Sequence, residues 1–135
     1  MFRILGIDHL VLRSADVARL RRFYVDVLGC TVEREQPAIG LTQLRAGSGL
    51  IDLVSLDGPL GRTGGAGPGV EGRNLDHFCL RIDPFDADAL RAHLAAHGVQ
   101  VGNVETRFGA EGSGPSLYLH DPEGNMVELK GPPDA

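Results

Sequence analysis

Apolar and polar positions along the chain change period between two and about 3.6, and they do so twice in the same order. From Ile4 to Leu12 the chain is rich in apolar and β-branched residues, the pattern of a strand buried on both faces. On that strand His9, Val11 and Arg13 share one face, and Leu10 and Leu12 the other. Val17, Leu20, Tyr24 and Val27 then recur at spacings of three and four, which predicts a helix that Ser14 or Asp16 can cap and Gly29 ends. Thr31–Glu35, Leu41–Ala46 and Leu50–Leu56 read as strands, with Gly47-Ser48-Gly49 turning between the last two. A second series starts with a strand over Leu75–Ile82. Asp83 is placed to cap a helix with Pro84 at its first position, Leu90 and Leu94 as its apolar stripe and Gly98 as its stop. Strands follow at Val99–Val104, Ser116–His120 and Asn125–Lys130. Between them lie a glycine-rich loop, Glu105–Gly114, and a tight turn, Asp121-Pro122-Glu123-Gly124-Asn125.

The two series are related in detail. Gly6-Ile7-Asp8-His9-Leu10-Val11-Leu12-Arg13 and Asn74-Leu75-Asp76-His77-Phe78-Cys79-Leu80-Arg81 both read Asp-His, an apolar run, then Arg, and the matching Asp, His and Arg are each 68 residues apart. Each half closes on a strand with one carboxylate among apolar residues, Leu50-Ile51-Asp52-Leu53 and Met126-Val127-Glu128-Leu129. The pattern predicts an α+β chain of two tandem βαβββ modules, residues 1–57 and 73–130, joined by a Gly/Pro-rich linker at 58–72 and followed by a frayed tail at 131–135. The linker lacks the flanking strand, helix and Lys-Ser/Thr of a phosphate loop.

Length and charge narrow the function. At 135 residues the chain fits one compact domain or two small modules sharing a core. A net charge of −5 with no basic run argues against nucleic acid or an anionic membrane as partner. The N-terminal stretch is too short for a signal h-region, and the apolar runs are too short to span a membrane. Cys30 and Cys79 make neither a CxxC pair nor a disulfide framework, so a reducing cytoplasm is the expected location.

A carboxylate inside an apolar strand is costly unless paired or metal-bound, and Asp52 and Glu128 both meet that description. With His9 and His77 at equivalent repeat positions, they make a set of imidazole and carboxylate donors suited to Zn, Ni, Co, Mn or Fe, with positions left open for substrate or water. His9, His77 and Glu128 form a two-His-one-carboxylate set, and symmetry adds Asp52. Tyr118 and His120 are candidates to line the same site, although His120 beside Asp121 also reads as a turn residue. His93 and His97 have helical metal-binding spacing but no third ligand nearby, which favours a solvated helix face. Cys79, on the face of His77, reads as an inert thiol, and Phe108 as a possible substrate lid.

Asp8-His9-Leu10, Phe23-Tyr24-x-x-Val27-Leu28-Gly29, Asp76-His77-Phe78 and Asp121-Pro122-Glu123-Gly124-Asn125-x-Val127-Glu128-Leu129 together resemble the vicinal oxygen chelate superfamily, the glyoxalase/bleomycin-resistance/dioxygenase proteins. The resemblance runs from about Ile4 to Lys130. It implies paired βαβββ modules forming a cup-shaped mixed sheet around one divalent metal, a small-molecule substrate and a homodimer. By it, His9, His77 and Glu128 fall on ligand positions, and Asp52 falls where glyoxalases carry Glu or Gln, one methylene longer. Arg13 matches a position that holds an anionic part of the substrate, with a solvated strand end as the plain alternative. The chemistry implied is that of a metal-dependent lyase or isomerase acting on a small carbonyl compound or its thiol adduct. Asp52 or Glu128 would move the proton on the carbon beside the carbonyl. An Fe(II) ring-cleaving dioxygenase and a non-catalytic binding or resistance protein on the same fold are the alternatives.

Overall fold

The computed structural model describes residues 1–134, and the chain divides into two compact units that meet at Gly72 and Arg73. Each unit has its own four-stranded mixed sheet.

In the first unit β1 (His9–Ser14) leads into α1 (Val17–Arg22), which continues as a π-helical turn over Phe23–Val27. Asp16 caps α1, its carboxylate accepting from the Arg19 amide at 3.0 Å. Gly29 ends the helical run with φ +80°, a left-handed conformation that strains any residue with a Cβ. β2 (Thr31–Gln36), a 3-10 turn at Pro37–Ile39, β3 (Leu41–Ala46) and β4 (Gly49–Ser55) complete the unit. The sheet order is β1-β4-β3-β2, with β1 parallel to β4 and the other pairs antiparallel. Leu12, Leu44, Ile51 and Leu53 are buried, as are Leu20, Phe23 and Tyr24 of the helical run, and α1 lies against β3 and β4. Fully burying an aliphatic or aromatic side chain of this kind stabilises by about 1.5–3 kcal/mol.

The second unit repeats the plan: β5 (Phe78–Arg81), α2 (Ala87–Ala96), β6 (Glu105–Gly109), β7 (Gly112–His120) and β8 (Met126–Lys130), in the order β5-β8-β7-β6 with β5 parallel to β8. Its core includes Leu94, Leu117, Leu119, Val127 and Leu129. Among the described residues no helix is long and apolar enough to cross a membrane.

Several boundaries differ from the sequence pattern. The first strand starts at His9, not Ile4, and its outer face is open, with Val11 exposed beside exposed His9. Asp86, not Asp83, caps α2, accepting from the Ala89 amide at 3.1 Å. The helix begins only at Ala87, three residues beyond Pro84, so the free amides of its first turn lie within reach of Asp86 and not of Asp83. The expected strand Val99–Val104 is reduced to a single bridge, Val101 to Leu119, and the partner of β7 is instead β6, drawn from the glycine-rich stretch.

The Gly/Pro-rich stretch also differs from a loose linker over its first half. The Arg62 amide donates to Gly58 O, and the Arg13 guanidinium donates to Gly65 O at 2.8 Å, Ala66 O at 3.1 Å and Gly61 O at 3.4 Å. Gly61 packs so closely on β4 that a Cβ there would meet Ser55 O at 1.8 Å. Gly131–Asp134 do not fray either: the Gly131 amide donates to Pro115 O and the Asp134 amide to Ser113 O. Ala135, the last residue expected in the tail, lies outside the described residues.

Candidate functional site

Strand register builds the same arrangement in both units. In each, the carboxylate on the central strand lies opposite the residue two beyond the histidine: Val11 faces Asp52, and Cys79 faces Glu128. On the other side Asp52 faces Gln43, and Glu128 faces Tyr118. Because paired residues point to the same face of a sheet, each row ends with one histidine beside one buried carboxylate.

The preceding aspartates orient the imidazoles. His9 Nδ1 lies 2.6 Å from Asp8 Oδ1, and His77 Nδ1 lies 2.6 Å from Asp76 Oδ2. An ionised carboxylate only accepts, so Nδ1 carries the proton and Nε2 is left for the carboxylate side. His77 Nε2 stands 3.2 Å from Glu128 Oε1, and His9 Nε2 stands 3.9 Å from Asp52 Oδ2. Donors about 2.0–2.2 Å from one tetrahedral ion are about 3.3–3.6 Å apart. The His77–Glu128 spacing therefore fits a shared divalent metal, and the His9–Asp52 pair is slightly wide for one. The outer aspartates match the carboxylate–histidine arrangement that fixes metal ligands. Each unit on its own brings one imidazole and one carboxylate together, and among the described residues no three His, Cys, Asp or Glu side chains cluster as a metal site.

The two rows differ in what surrounds the carboxylate. Gln43 Nε2 donates to both oxygens of Asp52, at 3.3 and 3.2 Å. The hydrogen bond to Asp8, and then the charge of Asp52, raise the His9 imidazole above its ordinary 6.5. In the second unit His77, Cys79, Glu128 and Lys130 line a cleft of about 330 Å³, bounded by Phe108 to Glu111 of the β6–β7 hairpin. Cys79 is exposed as a residue, but partial desolvation of its sulfur, and then the Glu128 carboxylate, push the thiol from 9.0 up to about 11. The Tyr118 ring meets His77 edge-on at 5.2 Å, and the Arg107 guanidinium lies 4.4 Å over the Tyr118 ring. Burial and the Glu128 charge raise the Tyr118 phenol above its ordinary 10.0.

The other sequence candidates take plainer positions. Arg13 holds the 61–66 loop. His120 is exposed at the end of β7, and His93 on α2 and His97 just past its C-terminal end are exposed with ring centroids 4.8 Å apart. Phe108 is 84% exposed at the cleft rim. Asp121 holds the turn before β8, accepting from the Glu123 and Asn125 amides at 2.9 Å each. Sequence reasoning gave no part to Gln43, Arg107 or Lys130. Only Lys130 carried a readable signal, since alternation along β8 puts it on the Glu128 face.

The family model of the Glyoxalase/Bleomycin resistance protein/Dioxygenase superfamily matches residues 6–129. The chain is 33% identical over 132 residues to a glyoxalase domain-containing protein, RDO1, of Mycosarcoma maydis, a match covering 96% of this chain and 70% of that protein. Among solved structures, an integron cassette protein from the mobile metagenome of V. cholerae superimposes with a TM-score of 0.76 at 28% identity, covering 97% of this chain and 98% of that one. A lactoylglutathione lyase from Agrobacterium tumefaciens superimposes with a TM-score of 0.67 at 22% identity, over 95% of this chain and 94% of that one, a likeness of fold alone.

Proposed function

Because this chain belongs to the Glyoxalase/Bleomycin resistance protein/Dioxygenase superfamily, we propose that it is a divalent-metal-dependent lyase or isomerase acting on a small carbonyl compound or its thiol adduct. The observation that carries the reading is the Asp–His–carboxylate geometry: Asp76 fixes the His77 tautomer, and Nε2 then stands 3.2 Å from Glu128. The first unit repeats it with Asp8, His9 and Asp52. In this reading His9 and Asp52 of the first unit and His77 and Glu128 of the second are the metal ligands.

When bound, the metal supplies a Lewis acid that polarises the substrate carbonyl. The rest falls to the chain. His9 and His77 bind through Nε2 while Asp8 and Asp76 hold the ring planes. Glu128 lines the cleft and is the carboxylate placed to take the proton from the carbon next to the carbonyl and return it to the neighbouring carbon. Asp52, with both oxygens bonded by Gln43, is a fixed ligand rather than a proton carrier. Tyr118, its phenol kept protonated, packs against His77 and shields that side from water.

The test is elemental analysis of protein purified without chelator or polyhistidine tag, followed by turnover of α-ketoaldehyde–thiol adducts. We expect one equivalent of Zn, Ni, Co or Mn per chain, and its loss in His77→Ala. A His77→Ala protein with full metal content would overturn the ligand assignment. Iron lost in air would point to the dioxygenase, and no uptake after reconstitution would refute the metal-dependent reading.

A further inference from the structure

Lys130 is the residue of the second unit that the proposed chemistry leaves without a task. It ends β8, two residues beyond Glu128 on the same face, and its side chain lines the cleft. It is only 5% exposed. Lysine is almost never this buried without a partner. Yet among the described residues its ammonium makes no hydrogen bond or ion pair. The other cation of the cleft, Arg81, is already engaged, its Nη1 lying 3.1 Å from Glu111 Oε2. Gly109 makes room for the lysine stem: a Cβ there would come within 2.9 Å of Lys130 Cε.

The lysine stem is buried while its charged end stays open to the cleft, where an anion that enters can form a charge-assisted hydrogen bond with it. The cleft's 330 Å³ is at the small end of ligand sites, which span about 300–1,000 Å³. Phe108 at the rim offers apolar contact to the remainder of such a ligand.

We propose that the cleft beside Glu128 takes a small organic acid, whose anionic group pairs with Lys130 and whose apolar part lies against Phe108. This rests on the reading of that cleft as the substrate site, but not on metal binding. The probe is phenylacetate, with phenylacetamide as its neutral counterpart, titrated into chelator-treated, metal-free protein and followed through backbone amide resonances.

Phenylacetate is expected to shift Gly109 and Gly131 at millimolar concentration, with phenylacetamide at least about tenfold weaker, the least a charge-assisted contact is worth. Lys130→Met, which keeps the stem and removes the charge, should weaken the acid by the same factor, and Lys130→Arg should restore it. Equal binding of acid and amide, undiminished binding to Lys130→Met, or no shift at Gly109 and Gly131 would each overturn the proposal. If Lys130→Met does not fold, the acid–amide comparison on the unaltered protein decides. Metal content is measured separately, so a protein that binds the acid but takes up no metal refutes the lyase reading and keeps this one.

Discussion

Removing the Asp76 carboxylate should weaken metal binding without weakening the fold. Asp76 touches His77 Nδ1 at 2.6 Å, and its own side chain is 86% exposed. In Asp76→Ala the imidazole loses the acceptor that keeps its proton on Nδ1. The ring can then place that proton on Nε2, facing Glu128, and it is free to turn. Losing an outer partner of a metal-bound histidine typically costs about 10–100-fold in affinity. Solvent already screens most of the Asp76 charge, which places the loss near the lower end, about tenfold. Asp76→Asn keeps an acceptor for Nδ1–H but not the charge, so it should fall between the two. Chelator competition for Zn gives the affinities, and thermal unfolding of the metal-free proteins gives stability. An exposed pair contributes at most about 1 kcal/mol to the fold, so the three melting temperatures should nearly coincide. Unchanged zinc affinity in Asp76→Ala would refute the orienting role. A large fall in metal-free stability would show that the aspartate is there for the fold.

Three further outcomes follow from the same geometry. Gln43→Leu strips two donors from buried Asp52 and should cost about 1–3 kcal/mol, read as a lower urea midpoint; an unmoved midpoint would mean that water satisfies the carboxylate. His9 should titrate above 6.5 by NMR, with its midpoint lowered in Asp8→Asn. The raised value means that its charged form stabilises the fold fully below 6.5 and loses that effect as pH rises through the folded value, whereas metal, which needs neutral Nε2, is displaced as pH falls through it. The Cys79 thiol, at about 11, should be alkylated slowly at neutral pH with a rate rising toward that value, and Glu128→Gln should speed it only in part, because burial is the larger cause.

How far the sequence carried depended on whether a feature was written in alternation or in register. β3 spans Leu41–Ala46, as its pattern predicts, and Gly29 and Gly98 stop the helices where the apolar stripes end. β6 was hidden because an edge strand of exposed Glu105, Thr106 and Phe108 has no apolar face to declare it, and its glycines read as loop. Val99–Val104 has the composition of a strand but finds only one bridge, since β6 takes the edge of β7. The repeat placed each histidine and carboxylate at equivalent positions, and the structure brings His9 near Asp52 and His77 near Glu128. The repeat could not give Gln43 beside Asp52 or Arg107 over Tyr118, which depend on the register of neighbouring hairpin strands rather than on repetition.

Those hidden partners separate two halves that the repeat makes look equivalent. Both place an Asp-oriented imidazole beside a buried carboxylate at matching register. In the first unit a primary amide bonds both carboxylate oxygens, an arrangement that favours a fixed anion. In the second a phenol and a thiol flank the carboxylate, a cleft opens beside it, and a lysine waits at the end of the same strand. A carboxylate that must gain and release a proton next to a substrate needs the second environment and is hindered by the first. Duplication therefore accounts for the matching His–carboxylate pairs, and divergence of the third strand, from Gln43 to Tyr118, accounts for their different surroundings, which under the proposed function assign the proton transfer to Glu128.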